Sequence, residues 1–262
     1  MATWIVGDIH GCYETFMTLI HSPEIKQEDI IVLIGDMTDR GPNTWEILQW
    51  AIKNVSEDGR YQLILGNHES VIIQYYRYYL SKFKLSIDKI PMCKFVMHKQ
   101  FDFAKCMMEH GAQTFQDIEP IVSFLRKLPI FKWITVNKDD GGQQEYLIVH
   151  GWCEKEPYLE SEEELLYGRE VGDSRFPGKL REYKQKHNEI LIHGHTPTNM
   201  DILSRHGAKR GYVWERNNCI NIDCGCVYAR PDNKGQLAAI RLEDRKIIYT
   251  DPLPELNAAG YL

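Results

Sequence analysis

The sequence predicts an α/β fold built on mixed β-sheets, and three observations support this prediction. Short apolar runs rich in Ile, Val and Leu alternate with helix-like stretches in the first third of the chain, as buried strands and helices do in α/β proteins. Each of the first three apolar runs ends in a polar loop that begins with glycine. The last apolar runs follow one another closely, which is typical of antiparallel strands and would make the sheets mixed.

The first third of the chain contains three predicted strands, at Thr3 to Val6, Ile30 to Ile34 and Tyr61 to Leu65. Helix-like stretches separate them, at Cys12 to Ile20 and at Asn43 to Asn54. Ligands of open α/β sheets bind just beyond the carboxyl ends of the strands. We therefore expect the loops that follow these three strands to gather at one edge of a sheet.

A different pattern extends from Ser70 to Lys127. This segment is rich in aromatic residues, Met and Lys and has no period-two run, so it predicts several helices with breaks near Pro91, Gly111 and Pro120. We interpret it as a helical insertion, at about residues 70–127, into a single domain that spans residues 1–262. A chain of 262 residues is within the usual size of one α/β domain.

Strand-like runs resume after this segment. They are Lys132 to Val136, Tyr146 to Val149, Ile190 to Ile192, Cys219 to Ile222, Leu237 to Leu242 and Lys246 to Tyr249. The sequence Asp139-Asp140-Gly141-Gly142 predicts a hairpin turn between the first two of them. The acidic run Glu160 to Glu164 predicts the solvated start of a helix, where its charges complement the helix dipole.

Composition and charge exclude several classes of protein. With 43% hydrophobic and 26% charged residues, the chain has the composition of a globular protein and not of a disordered one. The net charge of −6 argues against non-specific binding to nucleic acid. Neither a signal peptide nor an apolar run of membrane-spanning length is evident, so we expect no membrane partner and a cytoplasmic location. Seven irregularly spaced cysteines predict reduced thiols.

Potential metal ligands follow the predicted strands. They are Asp8, His10, Asp36, Asn67, His68, His150, His193 and His195. A mixture of oxygen and imidazole donors suits Mn²⁺, Fe²⁺ or Zn²⁺, whereas an all-oxygen set would suggest Mg²⁺ or Ca²⁺. Any one of these residues alone could be an ordinary polar residue or a turn cap. Their joint position at strand ends favours a metal site.

The strand-end loops also carry a family resemblance. The motifs are Gly7-Asp8-Ile9-His10-Gly11, Gly35-Asp36-Met37-Thr38-Asp39-Arg40-Gly41, Gly66-Asn67-His68-Glu69, His150-Gly151 and His193-Gly194-His195-Thr196-Pro197. In their order and spacing they resemble the motifs of the PPP-type calcineurin-like metallophosphoesterases, which include serine/threonine protein phosphatases and symmetrical diadenosine tetraphosphatases. The resemblance extends from Thr3 to about Tyr249 and implies a central β-sandwich of mixed sheets flanked by helices.

The resemblance implies two divalent metal ions, with Mn²⁺ as the first choice and Fe or Zn as alternatives. Its motifs assign Asp8 and His10 to the first metal, Asp36 to a bridge between the metals, and Asn67, His150 and His195 to the second. They also match His68 with a general acid, Asp39 with its orienting partner, and Arg40 with a phosphate-binding arginine. Arg169 is the candidate for a second such arginine, through the looser match of Leu165-Leu166-Tyr167-Gly168-Arg169. His193 remains open between contact with phosphate, contact with a metal-bound water and a supporting position.

The resemblance leaves the substrate open. The His-Gly-His-Thr-Pro form is similar to the bacterial or phage-like branch of the family, so we expect a metal-dependent hydrolase of phosphoserine and phosphothreonine monoesters. The alternative within enzymes is a diadenosine tetraphosphate hydrolase. A catalytically inactive binding module is disfavoured because every expected ligand is present. The expected partner is a phosphoprotein or a phosphorylated small molecule. Cys12, Cys153, Cys224 and Cys226 lie near the motifs, either as small buried residues or as a redox brake.

Overall fold

A computed structural model describes residues 1–98, 101–138, 141–171, 179–184 and 188–261 of the chain. The described strands form two five-stranded mixed sheets. Asp139 and Asp140 of the predicted hairpin turn lie outside the described residues, but the two strands that the turn would join do pair antiparallel.

The first sheet joins the beginning and the end of the chain. Its strands are β1 (Thr3–Val6), β2 (Ile30–Leu33), β3 (Tyr61–Leu63), β9 (Leu237–Arg241) and β10 (Ile247–Thr250), in the order β10-β9-β1-β2-β3. The first three strands are parallel to one another, and β9 is antiparallel to β1. The carboxyl ends of β1, β2 and β3 therefore point to the same edge, as expected.

The second sheet comes from the middle of the chain. Its strands are β4 (Phe131–Asn137), β5 (Gln143–Val149), β6 (Ile190–His193), β7 (Trp214–Arg216) and β8 (Cys219–Asn221), in the order β4-β5-β6-β8-β7. Strands β5, β6 and β8 are parallel, and β4 and β7 pair antiparallel at the two edges. The sequence did not predict β7, because its three residues include two charged side chains and give no apolar run.

The two sheets pack face to face as the predicted β-sandwich. Ile5 and Val32 of the first sheet share one buried cluster with Ile148, Ile192 and Ile220 of the second. Successive strand residues point to opposite faces of a sheet. The neighbours of these residues therefore face outward, onto the helices that cover each sheet.

Eight α-helices and four short 3-10 helices complete the described fold, and the α-helices are labelled here. They are α1 (Tyr13–Ile20), α2 (Thr44–Asn54), α3 (Asn67–Phe83), α4 (Phe103–Glu109), α5 (Phe115–Leu125), α6 (Glu162–Tyr167), α7 (Asp201–Ser204) and α8 (Leu253–Ala258). The helical segment of the middle chain packs on the outer face of the first sheet. Helix α3 begins at Asn67, three residues before the expected boundary at Ser70, so the three motif residues Asn67, His68 and Glu69 lie in its first turn. No described helix has the length and apolar character needed to cross a membrane.

One predicted helix break was wrong. Pro120 lies inside α5 and does not end it. Proline removes one backbone hydrogen bond from a helix. In α5 the buried residues Ile118, Ile121, Val122 and Leu125 form an apolar face, and its burial outweighs the loss of that bond.

Candidate metal centre

The loops after five strands bring their polar side chains to one buried place. The loop after β1 contributes Asp8 and His10, and the loop after β2 contributes Asp36. The start of α3, which follows β3, contributes Asn67 and His68. The loops after β5 and β6 contribute His150 and His195. Backbone hydrogen bonds hold the first two loops together, because the N–H groups of Ile9 and His10 both donate to the carbonyl of Asp36.

The Asp36 carboxylate is central to this cluster. Its Oδ1 lies 3.3 Å from His150 Nε2, and its Oδ2 lies 3.5 Å from His10 Nε2 and 4.0 Å from His68 Nε2. The backbone N–H of His68 donates to Oδ1 at 3.0 Å. Burial by itself would raise the pKa of Asp36, but the surrounding imidazoles of His150 and His68 hold it well below its usual range. Asp36 therefore stays ionised and attracts cations.

Backbone carbonyls fix the orientation of two histidine rings. His10 Nδ1 lies 3.0 Å from the carbonyl oxygen of Thr38, and His150 Nδ1 lies 2.9 Å from that of Ile34. An imidazole nitrogen beside a carbonyl oxygen carries the proton and donates it. In the neutral rings the lone pair is then on Nε2, which faces Asp36 in both cases. Such a second hydrogen bond is the usual support of a metal-binding histidine.

Two histidine rings converge on the Asn67 amide oxygen. Asn67 Oδ1 lies 2.9 Å from His150 Nε2 and 2.8 Å from His195 Nδ1. Burial by itself would lower the pKa of His150, but the Asp36 carboxylate raises it to about 10. Burial and His150 hold the pKa of His195 well below its usual range. The oxygen and nitrogen atoms around His150 hold its proton firmly, and atoms of these types also bind metal cations.

The Asp8 carboxylate also fits a metal. Its Oδ2 accepts a hydrogen bond from the backbone N–H of His195 at 3.1 Å. Its Oδ1 is buried and has no hydrogen-bond partner among the described residues. Burial and the nearby Asp223 carboxylate raise the pKa of Asp8 well above its usual range. The raised pKa means that the ionised form of Asp8 is costly unless a cation lies beside it. A divalent metal at Oδ1 would supply that cation.

Two adjoining groups of side chains in the cluster could each hold a metal ion. His10, Asp36 and His68 offer ligand atoms that all lie within 4.8 Å of one another, and so do Asp36, His150 and His195. Asp36 belongs to both groups, which is the arrangement expected of a bridging ligand. The assignment of each residue to one metal remains a prediction.

His68 is held between a carboxylate and an aromatic ring. Its Nδ1 lies 2.7 Å from Asp39 Oδ2, and the Phe101 ring lies 4.9 Å away between centroids. The other ring nitrogen, Nε2, is buried and has no hydrogen-bond partner among the described residues. Asp39 fixes the orientation of the ring through Nδ1, which leaves Nε2, 4.0 Å from Asp36 Oδ2, as the nitrogen that faces the centre and can exchange a proton with a substrate.

Both predicted arginines lie beside the cluster. Arg40 Nη1 is 2.6 Å from His10 Nε2, and the guanidinium lies over the Tyr228 ring at 5.4 Å from its centroid. Arg169 Nη1 donates to the His195 carbonyl at 3.4 Å and to Thr196 Oγ1 at 3.2 Å. Both guanidinium groups are therefore near enough to the centre to bind a phosphate group held there.

His193 does not join the ligand cluster. Its Nε2 lies 3.0 Å from Glu170 Oε2, and its Nδ1 lies 3.2 Å from the Gly194 carbonyl oxygen. Burial raises the pKa of Glu170 to about 8 and lowers the pKa of His193 to about 3. The pair is thus a buried neutral acid beside a neutral imidazole. Of the three positions left open for His193, its contacts favour the supporting one.

Glu69 is a buried residue whose role the motif did not reveal. Its Oε2 accepts the backbone N–H of Asp36 at 2.9 Å, and its Oε1 accepts those of Met37 and Thr38 at 3.0 Å and 3.1 Å. The Thr38 hydroxyl donates to the same Oε1. One carboxylate thus fixes the whole loop that carries Asp36. Only the position of this glutamate, two residues after the predicted ligand Asn67, could have suggested this from the sequence.

The backbone of the site is strained at five positions. His10, Asp36, Asp39, Arg40 and His195 have φ angles of +48°, +47°, +66°, +72° and +65°. Residues other than glycine rarely have a backbone in this left-handed region, and those that do cluster at functional sites. The strain indicates that the surrounding contacts hold these side chains in place against local preference.

The four cysteines near the motifs are free and buried. Burial raises the pKa values of the Cys224 and Cys226 thiols well above the usual range of a cysteine. It raises the pKa of Cys153 to about 12. Buried thiols with raised pKa values react slowly. The arrangement favours small buried residues over a redox brake.

Comparisons with known proteins agree with this geometry. The sequence profile described as calcineurin-like phosphoesterase matches residues 1–217. Part of the chain is 39% identical over 70 residues to the symmetrical bis(5'-nucleosyl)-tetraphosphatase of Escherichia coli K12, which is 26% of this chain and 24% of that protein. The same protein of Shigella boydii serotype 18 matches equally. The alignment thus spans about a quarter of the length of these curated relatives.

Two solved structures share the fold. A candidate diadenosine tetraphosphatase superposes with a TM-score of 0.60 at 18% identity, covering 95% of this chain and 92% of that one. A serine/threonine protein phosphatase from Saccharomyces cerevisiae superposes with a TM-score of 0.54 at 16% identity, covering 96% and 80%. At these identities the similarity extends to the fold alone.

Proposed function

Because the chain belongs to the calcineurin-like phosphoesterase family, we propose that it hydrolyses phosphate esters with two divalent metal ions. The single observation that carries this proposal is the shared position of Asp36 in two groups of ligand atoms. Asp8 and His10 would hold one ion, and Asn67, His150 and His195 the other. Mn²⁺ is the first choice and Fe or Zn the alternatives, since nitrogen and oxygen donors are mixed.

Two divalent ions held by these residues would activate a water molecule as the nucleophile and would neutralise charge that develops on phosphoryl oxygens. The residues of the chain supply the remaining steps. Arg40 and Arg169 bind and orient the phosphate group through paired N–H donors. His68 gives its Nε2 proton to the leaving oxygen, and Asp39 holds the ring in place for this transfer.

We propose phosphoserine and phosphothreonine proteins as the substrates. The proposal follows from the form His193-Gly194-His195-Thr196-Pro197, which is similar to the bacterial or phage-like branch of the family. The half-buried Phe101 beside His68 supplies an apolar wall near the leaving group.

Dinucleoside polyphosphates are the second candidate. The observation that favours them is the partial match to curated relatives named symmetrical bis(5'-nucleosyl)-tetraphosphatases. The chemistry at the metal centre would be the same for both substrates. The difference would lie in what binds the remainder of the molecule.

A direct comparison of rates tests both candidates. The purified protein is stripped of metal, reloaded with Mn²⁺ and given a phosphothreonine peptide and diadenosine tetraphosphate in parallel. A kcat/KM that favours the peptide by about tenfold or more, a transition-state difference of about 1.4 kcal/mol, supports the phosphatase proposal. The reverse preference transfers the proposal to dinucleotides. Full metal loading without turnover of either substrate, or of an aryl phosphate, contradicts the proposed function.

A further inference from the structure

The carboxylate that orients His68 has a second carboxyl group behind it. Asp102 stands at the N-cap position of α4, directly before the first helical residue, Phe103. Its backbone N–H donates to Asp39 Oδ1 at 2.8 Å, and its own carboxyl group lies within hydrogen-bond reach of the Asp39 carboxylate. The other Asp39 oxygen lies 2.7 Å from His68 Nδ1. Asp39 is therefore held between Asp102 on one side and the imidazole on the other.

Asp102 does not use its side chain as an aspartate at this position usually does. An N-cap aspartate normally accepts a hydrogen bond from a backbone N–H group in the first turn of its helix. The Asp102 side chain forms no such bond, and Asp39 Oδ1 instead accepts the N–H of Phe103 at 2.9 Å. Asp102 Oδ1 is buried and has no hydrogen-bond partner among the described residues. The Asp102 carboxyl group is thus not needed to cap α4, and it faces another acid.

Two adjoining carboxyl groups repel each other when both are ionised, so one of them keeps a proton to a higher pH. His68 is the one ion-pair partner of Asp39 among the described residues, and Asp102 has none there. Burial and the Asp39 carboxylate raise the pKa of Asp102 to about 7, against a smaller opposing effect of the Arg40 backbone N–H. Below pH 7 the proton therefore lies on Asp102, whose O–H group can donate a hydrogen bond to Asp39.

Two other titratable groups of the described chain face Asp102, and both are uncharged near neutral pH. Burial raises the pKa of Cys106, one turn further along α4, to about 12. Burial and the Asp102 carboxylate raise the pKa of Tyr261, near the end of the chain. The charged side chain of Glu109 lies at the end of α4 and is 60% exposed. A change of charge near pH 7 at this place therefore belongs to Asp102 or to His68.

We propose that Asp102 is a positioning residue, which as a neutral carboxylic acid donates a hydrogen bond to Asp39 and so holds that carboxylate against His68. When Asp102 loses its proton, repulsion between two carboxylates replaces this hydrogen bond, and Asp39 no longer fixes the His68 ring. Proton transfer to the leaving oxygen then slows, whereas the binding of metal and phosphate does not change, because Asp102 contacts neither site. The inference rests on the proposed function, in which His68 supplies that proton.

Two variants of Asp102 separate the hydrogen-bond donor from the charge. Asp102→Asn keeps an N–H donor toward Asp39 and cannot ionise, whereas Asp102→Ala has no donor. At pH 6, kcat of the Mn²⁺-loaded protein on a phosphothreonine peptide should stay within about twofold of wild type in Asp102→Asn. In Asp102→Ala it should fall about fivefold to tenfold, the effect of one lost hydrogen bond. With p-nitrophenyl phosphate, whose leaving group depends little on an acid, both variants should stay within about twofold.

The pH profile tests the proton itself. Between pH 6 and 8.5, the ratio of the peptide kcat of wild type to that of Asp102→Asn should fall by about threefold or more, because only wild type loses the proton. The same ratio for p-nitrophenyl phosphate should stay constant. Glu109→Gln, which neutralises an exposed carboxylate on the same helix, is the matched control and should follow wild type. A constant peptide ratio, or equal losses on both substrates in Asp102→Ala, would overturn the proposal.

A measurement without turnover separates this proposal from the proposed function. In the Zn²⁺-loaded His68→Asn protein, which is diamagnetic and lacks the imidazole, the amide proton of Phe103 reports on Asp39 Oδ1. Its NMR chemical shift should change with a midpoint near pH 7, and the added Asp102→Asn substitution should abolish this transition. A transition that persists in the double variant, or that neither protein shows, would overturn the carboxyl pair. If the transition behaves as expected but wild type hydrolyses no ester, the carboxyl pair stands and the phosphoesterase function fails.

Discussion

The Asp39 Oδ2 atom lies 2.7 Å from His68 Nδ1, and the other oxygen of the same carboxylate reaches into the helical segment. There, Asp39 Oδ1 accepts the backbone N–H groups of Asp102 and Phe103 at 2.8 Å and 2.9 Å. The Phe101 ring, one residue earlier, packs against His68. The helical segment is therefore joined to the proposed general acid through a single carboxylate, and it forms one wall of the site.

This arrangement predicts a selective effect of His68→Asn. The variant should keep its metal ions but lose about 10²–10⁴-fold in kcat for alkyl phosphates, because no proton reaches the leaving oxygen. Aryl phosphates have better leaving groups and should lose less. The measurement is kcat for a phosphothreonine peptide and for p-nitrophenyl phosphate, with metal content determined in parallel. His21→Asn, at an exposed histidine after α1, is the control, and equal losses on both substrates would exclude the acid role.

Asp36→Asn should remove both activity and metal. Asp36 is the one residue shared by both groups of ligand atoms, and its loss of charge leaves the His150 imidazole, whose pKa it raises, without its counter-ion. We expect less than half the wild-type metal content after dialysis and no measurable turnover, as measured by elemental analysis and by hydrolysis of an aryl phosphate. Asp58→Asn, in an exposed turn, should behave as wild type. Normal activity of Asp36→Asn would refute the site.

Glu69→Gln should loosen the loop that carries Asp36. The amide keeps one acceptor oxygen but turns an N–H group toward backbone donors, so at least one buried donor loses its partner. We expect a decrease of about 1–3 kcal/mol in the free energy of unfolding. Urea unfolding of Glu69→Gln beside the exposed-site variant Glu57→Gln measures it. The loosened loop should also lower activity, and excess Mn²⁺ should restore part of it. Unchanged stability would show that these contacts do not hold the loop.

Glu170→Gln should change how stability depends on pH. The folded Glu170 keeps its proton up to about pH 8, whereas the unfolded carboxyl releases it near its ordinary pKa of 4.5. The stabilisation by this group is therefore complete below pH 4.5 and is lost as the pH rises to about 8. The amide of the variant would keep the hydrogen bonds but cannot ionise. Between pH 6.5 and 8, the chelator-treated wild-type protein should lose about 1–2 kcal/mol more stability than the variant. Urea denaturation at the two pH values measures the free energy of unfolding of both proteins. An equal change for wild type and variant would contradict the prediction.

The sequence predicted the positions of the ligands better than it predicted their supports. Asp8, Asp36 and His150 each lie within two residues of the end of a short apolar run, and the parallel strands carry them to one edge of the sandwich. This result depends only on local pattern and on sheet geometry, both of which a sequence records. The identification of the family rests on the same motifs.

The supporting contacts could not be predicted because they join distant parts of the chain. The N–H group of Phe103 meets a carboxylate 64 residues away in sequence, and Glu170 meets Asn221 across 51 residues. No local pattern marks either pair. The continuation of α5 past Pro120 likewise depends on burial of one helix face, which tertiary packing decides and local propensity does not.

The left-handed backbone of the site has a consequence for protein engineering. Each such residue costs roughly 1–3 kcal/mol in stability, and glycine or asparagine at the same place would recover much of it. Directed evolution for heat resistance alone would therefore enrich such substitutions at positions like His10 and His195, and the resulting enzymes would be robust and inert. A library that is screened for activity at every round must seek its gains elsewhere, on the outer helices and loops.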